Sequence, residues 1–140
     1  MSPAPVAAIS AVARRTLRIL YADDVHELRD VAQVSFRREG HRIECYADGA
    51  LALEKIVADP DFDLVITDHH MPNMNGLELV TQLRERHFPG KIMVFSSELS
   101  ESVARQYLQH RVDRILYKPV FPTVLREVLS ELFPTTKQAA

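Results

Sequence analysis

The sequence predicts an α/β fold, a doubly wound, five-stranded parallel sheet with five helices on its two faces. Short, branched apolar segments alternate strictly with segments of helical apolar spacing, five times each. One central segment is apolar almost throughout, as strands buried on both faces are. Turn and helix-start residues separate the segments. Right-handed crossovers between parallel strands then lead us to expect the strand order 2-1-3-4-5.

The first strand and helix pair begins at Leu17. The strand LRILYA ends at the adjacent acids Asp23 and Asp24. A helix follows, and Gly40 supplies the left-handed conformation that ends it. The positions predicted to be buried are Leu28, Val31, Ala32 and Ser35.

The second pair is a short strand over Ile43 to Tyr46 and a helix that starts at Asp48 and Gly49. Asp and Gly suit the beginning of a helix, and this one is expected to end near Asp59. The positions predicted to face inward are Leu53, Ile56 and Val57.

The third pair contains the segment around which the chain is organised, DLVITDHHMPNMNG from Asp63 to Gly76. Its apolar part reads as a buried strand that delivers Asp68 to its carboxyl end, where open α/β sheets bind ligands. Pro72 cannot continue the strand, and Asn75 suits a helix cap. The next helix is predicted to bury Leu77, Val80 and Leu83.

The last two pairs complete the sheet. A fourth strand over Ile92 to Phe95 ends in Ser96, and a fifth over Arg114 to Tyr117 delivers Lys118. The final helix starts at Pro122, a residue that suits a first-turn position. The buried positions predicted for the two helices are Leu99, Val103, Tyr107 and Leu108, and then Val124, Leu125, Val128 and Leu132.

Length and composition predict one domain over residues 17–133, with a flexible arm at 1–16 and a short tail at 134–140. The 17 basic and 19 acidic residues give a net charge of -2, which offers no reason to expect direct nucleic-acid or membrane binding. A single cysteine, Cys45, excludes an internal disulfide. The apolar run Val6 to Ala13 precedes its arginines, the wrong order for a signal peptide, so we expect a cytoplasmic protein.

Polar residues end four of the five predicted strands, on one edge of the sheet. Each alone fits a helix cap or a solvated charge, but their convergence favours a site. Two carboxylates about 5 Å apart repel by roughly 3 kcal/mol at an effective dielectric near 20. A hard divalent cation relieves this repulsion, and Mg²⁺ suits a shallow site of oxygen ligands. The converging residues are Asp23, Asp24, Asp68, Ser96 and Lys118.

Such an edge can support phosphoryl transfer. Asp68 is the candidate nucleophile, and Lys118 with the cation would neutralise the phosphoryl oxygens. Ser96 supplies a hydroxyl that can turn towards the new phosphoryl group, a plausible two-state switch.

With these residues in place, the sequence resembles the receiver domain of bacterial two-component response regulators. The type it resembles is the single-domain, chemotaxis-regulator type, which has a flavodoxin-like fold. The matching pieces are ILYADD, ADGALAL, DLVITDHHMPNMNG, the serine after the fourth strand, and YKP. The resemblance implies phosphorylation of Asp68 by a histidine kinase or phosphotransfer protein. It implies Mg²⁺, with Mn²⁺ as a substitute, bound directly by Asp24 and Asp68 and through water by Asp23. It further implies a ligand from the main-chain carbonyl of His70, phosphoryl contacts from Ser96 and Lys118, and a cis bond between Lys118 and Pro119.

Three positions depart from the family pattern. Ile115 stands where the family usually has an aromatic ring that moves on activation, so the signal cannot depend on such a ring. Arg111 stands where the fourth helix commonly ends in Gly, and Phe121 replaces a hydroxyl cap at a cost of about 1 kcal/mol. His69 and His70 are also unusual. Either His70 leans over the phosphoryl group and alters its hydrolysis, or both are loop imidazoles without a role.

We therefore predict a stand-alone phosphoacceptor that switches partner binding, as a monomer or weak dimer. It would catalyse only its own Mg²⁺-dependent phosphorylation and dephosphorylation. The alternative is a constitutive docking module or a phosphate sink. An enzyme acting on an external substrate is disfavoured because no lid or second domain encloses one. The predicted partner face consists of Arg105, Gln109, Ile115 and Phe121.

Overall fold

Five parallel strands form one sheet in the order β2-β1-β3-β4-β5 in the computed structural model, which describes residues 15–134. The predicted strand order is confirmed. All but Pro134 of the predicted tail, and all but the last two residues of the predicted arm, lie outside the described residues. The strands are β1 Arg18–Ala22, β2 Arg42–Tyr46, β3 Leu64–Thr67, β4 Lys91–Ser96 and β5 Arg114–Tyr117. The helices are α1 His26–Arg38, α2 Gly49–Ala58, α3 Gly76–Glu85, α4 Glu101–Gln109 and α5 Pro122–Leu132.

The sheet divides the apolar core into two clusters. Successive side chains of a strand point to opposite faces, so Leu20 and Ala22 join one cluster while Ile19 and Tyr21 join the other. Helices α2, α3 and α4 cover the first face, and α1 and α5 cover the second. β3 lies at the centre of the sheet and is buried along its whole length, as its apolar sequence predicts.

Four apolar residues that helical spacing assigned to the interior are exposed instead. Each helix covers the sheet with a narrow stripe, and apolar side chains beside that stripe stay on the surface. In α1, for example, Ala32 and Phe36 are buried while Val31 is 59% exposed. The corrected residues are Val31, Val57, Leu108 and Val124.

Side chains cap the starts of α2, α3 and α4, whereas Val25 before α1 makes no side-chain cap bond. Asp48 Oδ1 accepts the amide N–H of Leu51 at 2.8 Å and caps α2. Asn75 and Glu78 form a reciprocal capping box at the start of α3. Phe121 stands at the cap position of α5 without a side-chain cap bond, as predicted.

Helix α4 ends without a glycine. Arg111 itself adopts the left-handed conformation, with φ 59°. The Arg84 guanidinium, from α3, donates to the carbonyl oxygens of His110 at 2.8 Å and of Arg111 at 2.7 Å. These bonds satisfy carbonyl groups that a helix end leaves unpaired.

The two ends of the described chain meet beside α5. The Arg15 guanidinium lies 5.2 Å from the ring centroid of Phe133 and also pairs with Asp63 at 3.1 Å. Asp63 precedes β3, so both ends lie at the amino-terminal edge of the sheet. Within residues 15–134, none of the helices combines the length and apolar character that a bilayer crossing requires.

Candidate functional site

The opposite, carboxyl-terminal edge gathers the predicted polar residues. Parallel pairing aligns the strand ends, and Ala22 of β1 lies level with Thr67 of β3. Asp23 and Asp68 follow these two residues directly, and Lys118 follows the end of β5. Residues 95 positions apart are thereby brought into hydrogen-bonding contact. The convergence of Asp23, Asp68 and Lys118 is present in the structure.

Asp23 is fully buried and has three donors. Its Oδ2 accepts the Tyr21 hydroxyl at 2.9 Å and the Lys118 ammonium at 2.8 Å, and its Oδ1 accepts the Val25 amide at 2.9 Å. Burial, with the nearby Asp23 charge, raises the pKa of Tyr21, so this hydroxyl remains a donor at neutral pH. These donors offset the cost of burying the carboxylate.

Asp68 is less well compensated. Its Oδ1 accepts the amide N–H of His69 at 2.7 Å, whereas its Oδ2 lies 3.4 Å from Lys118 Nζ. Burial raises the pKa of Asp68; Lys118 opposes this rise and the Asp23 charge adds to it. The Asp68 carboxylate thus has one short hydrogen bond and one longer ion pair.

Asp24 completes an acidic cluster, which we define as Asp23, Asp24 and Asp68. Their carboxylates offer oxygens that all lie within 4.8 Å of one another. Asp24 is exposed, so the cluster opens to solvent. Three carboxylates beside one ammonium leave two negative charges for a cation to balance. This set of oxygen donors fits Mg²⁺.

Ser96 is fully buried at the end of β4. Its hydroxyl donates to the carbonyl oxygen of Glu98 at 3.1 Å, so its single hydrogen is committed within the β4 to α4 loop. Its own carbonyl oxygen accepts the amide N–H of Lys118 at 2.8 Å. This bond joins the ends of β4 and β5, and the next peptide bond, Lys118 to Pro119, is cis as predicted.

The two histidines after Asp68 have different environments. His70 is exposed, while His69 is buried and its Nδ1 lies 2.6 Å from the hydroxyl oxygen of Tyr107 in α4. Burial lowers the pKa of His69 and raises that of Tyr107, so both are neutral at pH 7. Sequence reasoning missed this pair. The available signals were an imidazole beside the acid and a tyrosine predicted on the buried face of α4.

The residues predicted for the partner face have mixed exposure. Arg105, Gln109 and Phe121 are exposed, with Phe121 at 60%. Ile115 is half-buried and packs against the core cluster that contains Tyr107. An apolar ring and two long polar side chains are therefore available on α4 and before α5.

Comparisons with known proteins agree with this geometry. The model of the response regulator receiver domain matches residues 19–130. The chain is 35% identical to the sensory/regulatory protein RpfC of Xanthomonas campestris, over 90% of this chain and 18% of that protein. It is 26% identical to the chemotaxis protein CheY-3 of Vibrio cholerae, over 89% of this chain and 98% of that one. The chain thus spans less than a fifth of the first relative and nearly all of the second.

Solved structures show the same fold. Vibrio cholerae CheY4 has a TM-score of 0.77 at 27% identity and covers 84% of this chain and 99% of its own. A CheY-like receiver domain protein from Methanospirillum hungatei has a TM-score of 0.78 at 27% identity, covering 84% and 93%. Fold, acidic cluster and family match coincide, and the chain belongs to the response regulator receiver domains, the CheY-like signalling modules of two-component systems.

Proposed function

We propose that Asp68 accepts a phosphoryl group from a histidine kinase or histidine phosphotransfer protein. The observation that carries the proposal is the position of Lys118 Nζ, 2.8 Å from Asp23 and 3.4 Å from Asp68, two members of the acidic cluster. An ammonium and an open acidic cluster around one carboxylate suit a group that gains phosphoryl charge.

In the proposed step an Asp68 carboxylate oxygen attacks phosphorus of a phosphohistidine. A P–O bond forms, the P–N bond breaks, and the leaving imidazole takes a proton from solvent. Asp24 and Asp68 would hold Mg²⁺ directly, Asp23 through water, with the His70 carbonyl as a further ligand. The bound ion supplies charge neutralisation at the phosphoryl oxygens. Lys118 adds a second cation, and the Ser96 hydroxyl leaves Glu98 to donate to the phosphoryl group.

Acetyl phosphate provides a direct test, because it replaces the kinase with a small donor. We expect Mg²⁺-dependent mass labelling of the wild type that is lost in Asp68→Asn and in EDTA. Asp61→Asn is the matched control, because Asp61 is an exposed acid near the other edge of the sheet. Labelling of Asp68→Asn at the wild-type level would show that another residue is the acceptor.

Phosphorylation would then change the binding of a downstream protein at the face of Arg105, Gln109, Ile115 and Phe121. Exposed Phe121 and Leu108 supply apolar surface beside α4 and α5. Comparing the affinity of one captured partner with and without beryllofluoride tests this step. Equal affinities would favour the alternative, a constitutive docking module or phosphate sink, which the absence of a ring at Ile115 supports.

His70, exposed and two residues after Asp68, would alter the hydrolysis of the acyl phosphate, and the decay of labelled His70→Ala tests this. The domain would act in the cytoplasm as a monomer or weak dimer, without direct contacts to nucleic acid. It would catalyse only its own phosphorylation and dephosphorylation, and Mn²⁺ would replace Mg²⁺.

A further inference from the structure

His69 is bonded at both of its ends. Its amide N–H donates to Asp68 Oδ1 at 2.7 Å, and its ring Nδ1 is hydrogen-bonded to the Tyr107 hydroxyl at 2.6 Å. The two rings meet edge to face, with centroids 5.5 Å apart. Both side chains are buried. One residue therefore connects the Asp68 carboxylate to helix α4 through two short hydrogen bonds.

The Tyr107 hydroxyl lies at a crowded junction. A Cβ atom added to Gly76 would lie 2.5 Å from this hydroxyl oxygen and would also clash with the carbonyl oxygen of Asp68. The absence of a side chain at Gly76, the first residue of α3, leaves the space that the hydroxyl occupies. Helix α4, the start of α3 and the loop after Asp68 meet at this atom.

We propose that His69 and Tyr107 are positioning residues that transmit the phosphorylation state of Asp68 to helix α4. This inference rests on the proposed function of Asp68. It names a route that does not need an aromatic ring at position 115, where this chain has Ile115.

The physical link is the charge of the Asp68 carboxylate. An ionised carboxylate accepts a stronger hydrogen bond from the His69 amide than a neutral acyl group does. Phosphorylation uses one carboxylate oxygen for the P–O bond, so this hydrogen bond weakens and new acceptors arise on the phosphoryl group. The backbone at His69 then prefers a different position in the two states, which is the differential interaction that a switch requires.

The His69 ring follows its backbone, and Tyr107 follows the ring. A buried hydrogen-bonded pair is costly to separate, because each group would be left without a partner away from water. Moving the pair as a unit is the alternative that preserves the bond. Because Tyr107 is fully buried in α4, a shift of its ring displaces the helix that carries Arg105 and Gln109.

Tyr107→Phe tests the route by removing one oxygen and keeping the ring. Tyr46→Phe is the matched control, because the Tyr46 hydroxyl donates to Glu44 on edge strand β2. We would compare α4 backbone amide shifts before and after adding beryllofluoride with Mg²⁺. In Tyr107→Phe the shift changes in α4 are expected to be largely lost. In Tyr46→Phe they are expected to match the wild type.

Acetyl phosphate labelling of the same variants separates this inference from the proposed function. Tyr107→Phe should be labelled like the wild type, because the lost hydroxyl is hydrogen-bonded to the His69 ring and not to the Asp68 carboxylate. If the hydroxyl had only a structural role, the variant would lose stability but keep the α4 response to a labelled Asp68. A full α4 response in Tyr107→Phe would overturn the inference alone. Absence of wild-type labelling would overturn the proposed function and the inference together. His69→Leu breaks the bond from the other side and should give the same loss of α4 response.

Discussion

Asp68 holds a negative charge where its surroundings disfavour one. Burial and the neighbouring Asp23 charge raise its pKa more than Lys118 lowers it. The folded protein therefore binds a proton at Asp68 more readily than the unfolded chain, whose aspartates titrate near 3.8. The ionised form costs stability above the folded-state pKa, and this cost disappears as the pH falls towards 3.8.

Asp68→Asn should therefore stabilise the domain at pH 7 in EDTA. The amide removes the charge and keeps the shape of the side chain, and the gain should shrink as the pH falls towards 4. Thermal melts of wild type and variant across this range measure the difference. The exposed acid variant Asp61→Asn serves as control and should change stability little. A loss of stability in Asp68→Asn at pH 7 would contradict this account of Asp68.

Mg²⁺ should raise the melting temperature, because it binds the folded acidic cluster and not the unfolded chain. At about ten times its dissociation constant, the cation adds ~1.4 kcal/mol of stability. Asp24→Asn should remove most of this gain at little cost to the fold, because Asp24 is exposed. Calorimetric melts in Mg²⁺ and in EDTA measure the effect. Equal Mg²⁺ gains in Asp24→Asn and wild type would exclude Asp24 as a direct ligand.

The site residues that could be predicted from the sequence are those that directly follow the ends of strands. Asp23, Asp68 and Lys118 were predictable because parallel strands end at a common edge. The bond between His69 and Tyr107 was not, because it joins a loop and a helix 38 positions apart. Only the packing of α4 against the loop brings them together.

Helix α5 begins with an uncapped turn. Phe121 occupies the cap position, is 60% exposed and makes no side-chain cap bond. Asp, Ser, Thr or Asn would accept an amide hydrogen bond at this position. Phe121 gives up the stability of a cap hydrogen bond, which is compatible with the proposed role of its ring as an apolar binding surface.

Phe121→Asp should raise the free energy of unfolding by about 1 kcal/mol, since it supplies both a cap and a negative charge at the helix start. Phe121→Ala is the matched control, because it removes the ring without adding a cap. Urea denaturation of the two variants measures the difference between them. If Phe121→Asp is no more stable than Phe121→Ala, the cap position is not limiting for α5.

In the helices, positions along the chain were easier to predict from the sequence than the buried face. The strands and the starts of α2, α3 and α5 agreed with the sequence, because burial on two faces, capping residues and a first-turn proline leave clear signals. Helix α4 begins only at Glu101, so Leu99, assigned to its buried face, lies before the helix. Helix faces agreed less well. Val31 and Val57 continue an apolar pattern but lie beside the buried stripe, and only the angle at which each helix rests on the sheet decides this.

In the molecule as a whole, the sheet separates the two apolar core clusters, so side chains of one cluster are kept apart from those of the other. Ile56 of α2 belongs to one cluster and Leu129 of α5 to the other. Substitutions at distant sites without shared partners usually add in their effects on stability. Substitutions on the two faces should therefore change the free energy of unfolding additively, although the domain unfolds as one unit.

Ile56→Val and Leu129→Ala should cost about 1 and about 3 kcal/mol, because each removes buried methyl groups. The double variant should lose the sum to within ~0.5 kcal/mol. Urea denaturation of the four proteins gives the coupling energy. Ile56→Val with Leu83→Ala is the matched comparison, since α2 and α3 pack against each other. Strong coupling between Ile56 and Leu129 would mean that the sheet transmits packing strain across its faces.

The contact between Arg15 and Phe133 has a consequence for molecular architecture. A domain whose two chain ends lie side by side can be inserted into another polypeptide. It can also be circularly permuted, with its ends joined and new ends opened elsewhere. Both attachments would lie at the edge of the sheet remote from the acidic cluster. A fused neighbour could then be changed in size or replaced without covering the acidic cluster.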